Sequence, residues 1–313
     1  MKKLIILLAL LSAAFTSYTQ NSNEKRSAFH FSFVPPVSTN GINAAQYTNT
    51  ASFSLLVGLA KNEEIFGFAG LANIVMNNAD GFQFAGLANY VGNEYRGLQF
   101  AGLSNYTGDM TGLQFAGLGN IASNVKGLQF GGLFNVAKNV SGVQFAGLVN
   151  LAENSDYPIA LLNIIKNGEY GIAATYNEIG SVTLTFRSGG RITYGILGVG
   201  YNHKADDEGF VVEGGFGAHI NITDWLRLNN EIKGGTIGDL SDDDTFYFNY
   251  ALLPAFRPVR NIEIFGGPSI NYMQSDNLKN KDMFPNHSIW KKYSDTQLKQ
   301  VYIGYQVGIQ VLF

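Results

Sequence analysis

Along residues 300–313 apolar and polar positions alternate almost one for one. Val301, Ile303, Tyr305, Val307, Ile309, Val311 and Phe313 fall on one face, and Gln300, Gly304, Gln306, Gly308 and Gln310 on the other; only Tyr302 and Leu312 break the pattern. Period two is the mark of a strand, because successive side chains point to opposite faces. Fourteen residues are long for a strand in a soluble protein and suit one that crosses a bilayer at a tilt.

The same grammar recurs upstream. Phe246, Phe248, Tyr250, Leu252 and Phe256 oppose Tyr247, Asn249, Ala251 and Ala255, and Ile262, Ile264, Ile270 and Tyr272 oppose Glu263, Ser269 and Asn271. Phe210, Val212, Phe216, Ala218 and Ile220 oppose Glu213, Gly215, Gly217, His219 and Asn221; Leu226, Leu228 and Ile232 oppose Arg227, Asn229 and Glu231. In water such faces make half of a sandwich, with the apolar side in a core. In a membrane the polarity inverts, with the apolar face on lipid and the polar face on a lumen. The connections favour the second reading. Residues 221–224 and 257–261 are tight, whereas 203–208, 235–244 and 275–298 are long, polar and charged. That alternation is how outer-membrane barrels sort short periplasmic turns from long outer loops. Counting back from Phe313 predicts strands near 299–313, 261–273, 245–257, 224–235, 208–221, 191–203, 181–187 and 169–177, and two more near 28–35 and 51–61. The expected fold is thus all-β: an antiparallel transmembrane β-barrel of about ten strands.

A chain that ends on an aromatic residue in such a strand resembles bacterial outer-membrane β-barrels, whose last strand and terminal Phe form the assembly signal. The resemblance covers this last segment. It implies Tyr305 and Phe313 as the C-terminal signal, the barrel assembly machinery and outer-membrane lipid as partners, and the bacterial cell outer membrane as location.

Between residues 64 and 167 a different period takes over. Gly-apolar-Gln-Phe-Ala/Gly-Gly-Leu-x-Asn recurs with its first glycine at Gly81, Gly97, Gly112, Gly127 and Gly142, at spacings of 16, 15, 15 and 15 residues. Such a unit cannot bury its own apolar face, so it must stack on its neighbours. Fifteen residues divide into three sides of about five, one coil of a β-solenoid with a short strand per side. Leu113, Phe115, Leu118, Ile121 and Val125 are the candidate core of a coil. Asn105, Asn120, Asn135 and Asn150, with Asn124, Asn139 and Asn154, are candidate ladders at the corners, where asparagine tolerates left-handed backbone and bonds its equivalent one coil away. Six or seven coils at about 4.8 Å each make a rod on the order of 30 Å long. As an insertion leaving the periplasmic end of the barrel, the array is expected as a plug or a periplasmic rod. A rival arrangement makes each unit a membrane strand plus turn. The unit resembles a family of bacterial surface-repeat proteins first noted in spirochaetes, built from Gly-Leu-Gln-apolar-Gly-Leu-x-Asn units. The resemblance covers about a third of the chain and implies location rather than chemistry.

The N-terminus adds an export signal: Lys2 and Lys3, an apolar run over residues 4–11, then small and polar residues to Thr19. This is the form of a cleaved signal peptide, far short of the roughly 20 apolar residues of a spanning helix. The predicted organisation is therefore 1–19 signal peptide, 20–63 first barrel strands, 64–167 solenoid and 168–313 remaining barrel strands.

Composition removes several classes of function. There is no cysteine, so no disulfide frame and no thiol for a lipid anchor, and a net charge of −3 with 14% charged residues gives no footprint for nucleic acid. The four histidines lack partners at metal-ligand spacing. His30 and His219 are expected on lumen faces. Asp239, Asp242, Asp243 and Asp244 lack the internal glycine and distal Glu of a dedicated Ca²⁺ loop. Arg187, Glu213, His219, Arg227, Glu231 and Glu263 are expected as a lumen cluster that braces a nearly filled barrel. No catalytic, cofactor-binding or metal-binding residue is assigned. The expected function is that of a non-enzymatic outer-membrane surface-repeat protein, structural or adhesive, with an unknown surface ligand. The alternatives are a channel for small polar solutes and a barrel enzyme using His219 with Glu213 or Glu231.

Overall fold

A computed structural model describes residues 25–205, 209–238, 245–276, 283–294 and 297–313. The expected signal peptide and the acidic loop at Asp239–Asp244 lie outside the described residues. The chain divides into two compact units, Met1–Gly108 and Asp109–Phe313.

In the first unit, Lys25–Val34, Tyr47–Ser54, Asn62–Ala69, Ala79–Ala85 and part of Ala88–Ala101 stack as parallel strands. Val57–Ala60 and Ala72–Val75 form a second parallel row that continues into Ala88–Ala101. The segments near 28–35 and 51–61, expected as the first two barrel strands, are thus coils of the solenoid, with Phe29 beside Ala51 and Phe31 beside Phe53 in parallel register. Alternation reports that a strand has two unlike faces and is silent about its partner. His30, expected in the lumen, is buried inside a coil, 3.3 Å from the Thr39 hydroxyl.

The second unit begins with coils of the same kind. Asn124–Gly131, Asn139–Ala146 and Asn154–Ile159 make one parallel row, and Gly119–Ile121, Phe134–Val136, Val149–Ala152 and Leu162–Ile165 another. Parallel register excludes the strand-plus-turn arrangement, whose neighbours would be antiparallel hairpins. The first glycine of each unit turns a corner. Gly127 has φ +136° and Gly142 has φ +141°. A Cβ on either would lie 2.0 Å from the carbonyl oxygen of the glycine one coil earlier. Only glycine accepts both the angle and the approach.

The coils are inside out relative to the expected core. Val125 is interior, but Leu113, Phe115 and Ile121 are half-buried and Leu118 is 40% exposed. The interior holds Gln114, Ala116, Asn120 and Ala122. The predicted core placed every large apolar residue inward, as water would require.

The remainder of the second unit is a closed antiparallel barrel of eight strands: β1 (Glu169–Asn177), β2 (Ser181–Gly189), β3 (Thr193–Asn202), β4 (Phe210–Asn221), β5 (Leu226–Gly238), β6 (Thr245–Val259), β7 (Ile262–Ser275) and β8 (Leu298–Leu312). Closure pairs β1 with β8, from Gly171 opposite Leu312 to Asn177 opposite Gln306. Eight replaces the expected ten because the first two segments went to the solenoid. On β8, Ile303, Tyr305, Val307, Ile309 and Val311 face outward and exposed, while Gln300, Tyr302, Gln306 and Gln310 are buried in the lumen. The turns 190–192, 222–225 and 260–261 share one end with Glu169 and Phe313; β3, β5 and β7 run to the other end, where the short turn 178–180 joins β1 to β2.

The last coil packs on the outer side of β2, β3 and β4. Asn163 donates from its backbone N–H to the Ser188 hydroxyl at 3.0 Å, and the Thr193 hydroxyl donates to the Pro158 carbonyl at 2.8 Å. A Cβ on Gly195 would lie 2.1 Å from the Ala160 carbonyl oxygen, and one on Gly214 would lie 3.2 Å from Leu161 Cδ2. The array from Asp109 onward is therefore docked by its last coil on the outside of the barrel wall, neither in the lumen as the expected plug nor hanging free of the barrel.

Candidate functional site: the lumen and the amide ladders

Because β1 to β8 alternate, every second side chain enters the lumen, and the polar ones arrive in layers. Nearest the chain-terminus end, Glu169 accepts from Arg227 at 2.7 Å and from Arg257 at 2.8 Å, and Glu263 accepts from Arg257 at 3.0 Å and pairs with Arg227. His219 places Nδ1 2.9 Å from Asn229 Oδ1 and stacks on Tyr194 with centroids 4.3 Å apart. One layer further in, Arg187 pairs with Glu231 at 2.9 Å and donates to Gln310 at 2.9 Å, with its guanidinium over the Phe265 ring. Tyr194 donates to Glu231 at 2.9 Å. Ala173, Ala251, Leu253, Ala255 and Phe265 form an apolar layer. Beyond it Glu213 accepts from Lys233 at 3.1 Å, Tyr247 at 2.7 Å and Thr183 at 3.2 Å. The far end is closed by Ile179, Val211, Ile237, Met273 and Tyr302, onto which Met283 and Phe284 fold from the last long loop.

All six expected lumen residues, Arg187, Glu213, His219, Arg227, Glu231 and Glu263, are buried inside the barrel. They do not form one cluster: Glu213 belongs to a separate group with Lys233. His219 hydrogen-bonds neither Glu213 nor Glu231. Its Nε2 lies nearest a carboxylate at Glu169, 3.7 Å away, so the pairing suggested for an enzyme is not built. Glu169, Tyr194, Lys233, Tyr247 and Arg257 were missed from the sequence. Lys233 was findable, two residues after Glu231 on the same strand face. Arg257 falls where a turn was expected, and Glu169 opens its strand. At the chain-terminus mouth Glu169, Arg191, Arg227, Arg257, Arg260 and Phe313 line a polar cleft of about 450 Å³. Phe313 donates its N–H to Tyr170 O at 3.0 Å and stacks on that ring; Tyr305 is exposed on the outer wall, its N–H bonded to Glu178.

The solenoid interior is also a polar construction. Asn120 donates to Asn135 at 2.9 Å, Asn135 to Asn150 at 3.0 Å and Asn150 to Asn163 at 3.0 Å. In the first unit Asn73 donates to Asn89 at 2.8 Å and Asn89 to Asn105 at 2.9 Å. These ladders lie inside the coils rather than at the expected corners, and the second amide hydrogen of Asn135 reaches the Phe145 carbonyl at 2.8 Å. A parallel glutamine ladder runs from Gln144 to Gln129 to Gln114, at 3.0 Å per step. In the first unit Gln99 donates to Gln83, and Gln83 to Glu63 at 3.3 Å. Gly67 occupies the ladder position next to Gln83, and a Cβ there would lie 2.1 Å from the Glu63 carboxylate, so the glycine makes the room that Glu63 fills. Asn124, Asn139 and Asn154 form the exposed corner ladder, with steps of 2.8 and 2.7 Å. Among the described residues no His, Cys, Asp or Glu group has the form of a metal site.

No family model matches the chain, and no curated protein matches it. Among solved structures, one from the de novo design of transmembrane β-barrels is similar to it at 12% identity and a TM-score of 0.26, over 46% of this chain and 93% of the designed one.

Proposed function

We propose that this chain is a non-enzymatic structural protein of the bacterial outer membrane, in which the barrel anchors a repeat array. The observation that carries this reading is the polarity of the barrel. Ile303, Ile309, Val182 and Leu184 are each about half exposed on the outside, while the charged and amide side chains are buried within. A protein solvated by water gains nothing from that arrangement, whereas a bilayer requires it. A structural role is favoured over an adhesive one because the coils join the barrel at the end with short turns, the periplasmic end in barrels of this type.

The channel reading loses its motivation, since the polar lumen residues are paired with one another and Met283 and Phe284 close one end. The reading is tested by fractionation and gel mobility. The mature chain is expected in the outer-membrane fraction after a carbonate wash, migrating faster before boiling than after, and giving no unitary conductance in planar bilayers. Recovery in the soluble periplasmic fraction without heat-modifiable mobility would overturn it, and steady conductance from the folded form would restore the channel.

A further inference from the structure

In the coils of the second unit, the outward positions divide cleanly. The edge formed by Leu118, Leu133, Leu148 and Leu161 separates two flat sides, and neither side carries a charged residue at an outward position. One side is the phenylalanine stack, Phe115 to Phe130 at 5.8 Å and Phe130 to Phe145 at 4.9 Å between centroids. The other presents Ile121, Val136, Leu151 and Ile164. All the charge sits on the third side, with Lys126, Lys138 and Glu153 beside the exposed asparagine ladder. Two apolar sides around a buried amide ladder are the barrel's inversion repeated in a solenoid.

The leucine edge does not end in open space. Leu161, its last member, packs against Gly214, which points outward from β4, and Ala160 covers the outward face of Gly195 on β3. The row thus meets the barrel on its outer, apolar wall. Neighbouring leucines are one coil apart, about 4.8 Å, so the edge is a continuous apolar row that starts on the barrel's outer wall.

We propose that the two apolar sides of the coils over residues 109–167 are covered by the acyl chains of the bilayer, so that the array lies in the membrane beside the barrel and shows only its asparagine side to water. This rests on the membrane reading of the barrel. Exposed apolar surface on this scale in water marks a contact face, and the contact continuous with this one is the lipid-facing wall. Residues 25–108 carry the same outward stack, from Phe31 through Phe53 and Phe66 to Phe84 and Phe100.

Because the chain has no cysteine, single labels can be placed without background. Leu133→Cys, Leu148→Cys, Asn139→Cys and, as a wall control, Ile309→Cys carry nitroxides in the full chain in dimyristoylphosphatidylcholine vesicles. Collision with oxygen, which concentrates in the bilayer, is compared with collision with a water-soluble nickel chelate. The two leucine positions are expected to match the wall control, with an oxygen-to-nickel ratio several-fold above that at Asn139. Nickel access at Leu133 and Leu148 equal to that at Asn139, or protection from both reagents as under a protein partner, overturns the inference while an oxygen-accessible wall leaves the barrel reading intact. Nickel access at Ile309 as well brings down both. Should the labelled leucine variants fail to fold, Leu148→Trp in a chain carrying Trp225→Phe and Trp290→Phe reads the same face: quenching by brominated acyl chains is expected, and its absence overturns the inference.

Discussion

Glu63 shows how far a single residue's chemistry follows from its surroundings. It is buried beside the glutamine ladder, and burial raises its carboxyl from 4.5 to about 7, against the opposing hydrogen bonds of Ser52 and Gln83. Between those values the folded chain keeps a proton that the unfolded chain has lost. The contribution of Glu63 to stability therefore falls as pH rises from 4.5 to about 7, by up to about 3 kcal/mol, and is constant above and below that window. Glu63→Gln continues the ladder without the charge. It is expected to remove that slope and raise stability at pH 8, as read by hydrogen exchange of the Gln83 and Gln99 backbone amides; an unchanged slope would place the titration elsewhere. In the barrel, Lys233→Met leaves the Glu213 carboxylate without its counter-ion and is expected to cost about 3–5 kcal/mol in urea unfolding, with Glu213→Leu added to it recovering most of the loss. In the coils, Asn135→Leu removes one acceptor and two donors from a dry interior and is expected to cost about 2–4 kcal/mol.

At the scale of elements, the coil is the module. Deleting residues 127–141 joins Lys126 to Gly142 as it was joined to Gly127, and brings Gln114 to Gln144 and Asn120 to Asn150 with every ladder step intact. The shortened chain is expected to fold with unchanged heat-modifiable mobility, since each remaining coil meets a neighbour of its own register. Loss of the fast-migrating form in this variant would contradict the register. This scale also separates what was legible in the sequence from what was not. The β8 strand was readable because its two faces differ at nearly every residue. The asparagine repeat was readable because identical residues at a fixed period must stack. Which face of a coil turns inward was not readable from the period: Leu113, Phe115 and Leu118 look like core on any rule that assumes water outside. The segments near 28–35 and 51–61 were misassigned for a related reason, since a coil strand and a barrel strand alternate alike and differ only in pairing. The six lumen residues were legible from the alternation, but their pairings were not. Glu213 and Glu231 share a face of neighbouring strands, yet register gives one to Lys233 and the other to Arg187.

At the scale of the whole molecule, barrel and coils share one solution. Each buries amides against one another, the barrel its charges as well, and turns aliphatic and aromatic side chains outward, the distribution that the proposed apolar surroundings favour. The measurement that tests this most directly is the set of intermolecular NOEs between side-chain methyl groups and acyl chains for the protein in lipid nanodiscs. Ile303, Ile309, Val182 and Leu184 are predicted to show acyl contacts and no exchange peaks with water, while Leu253, inside the lumen, shows no acyl contact. Water contacts at Ile303 and Ile309, or acyl contacts at Leu253, would contradict the account.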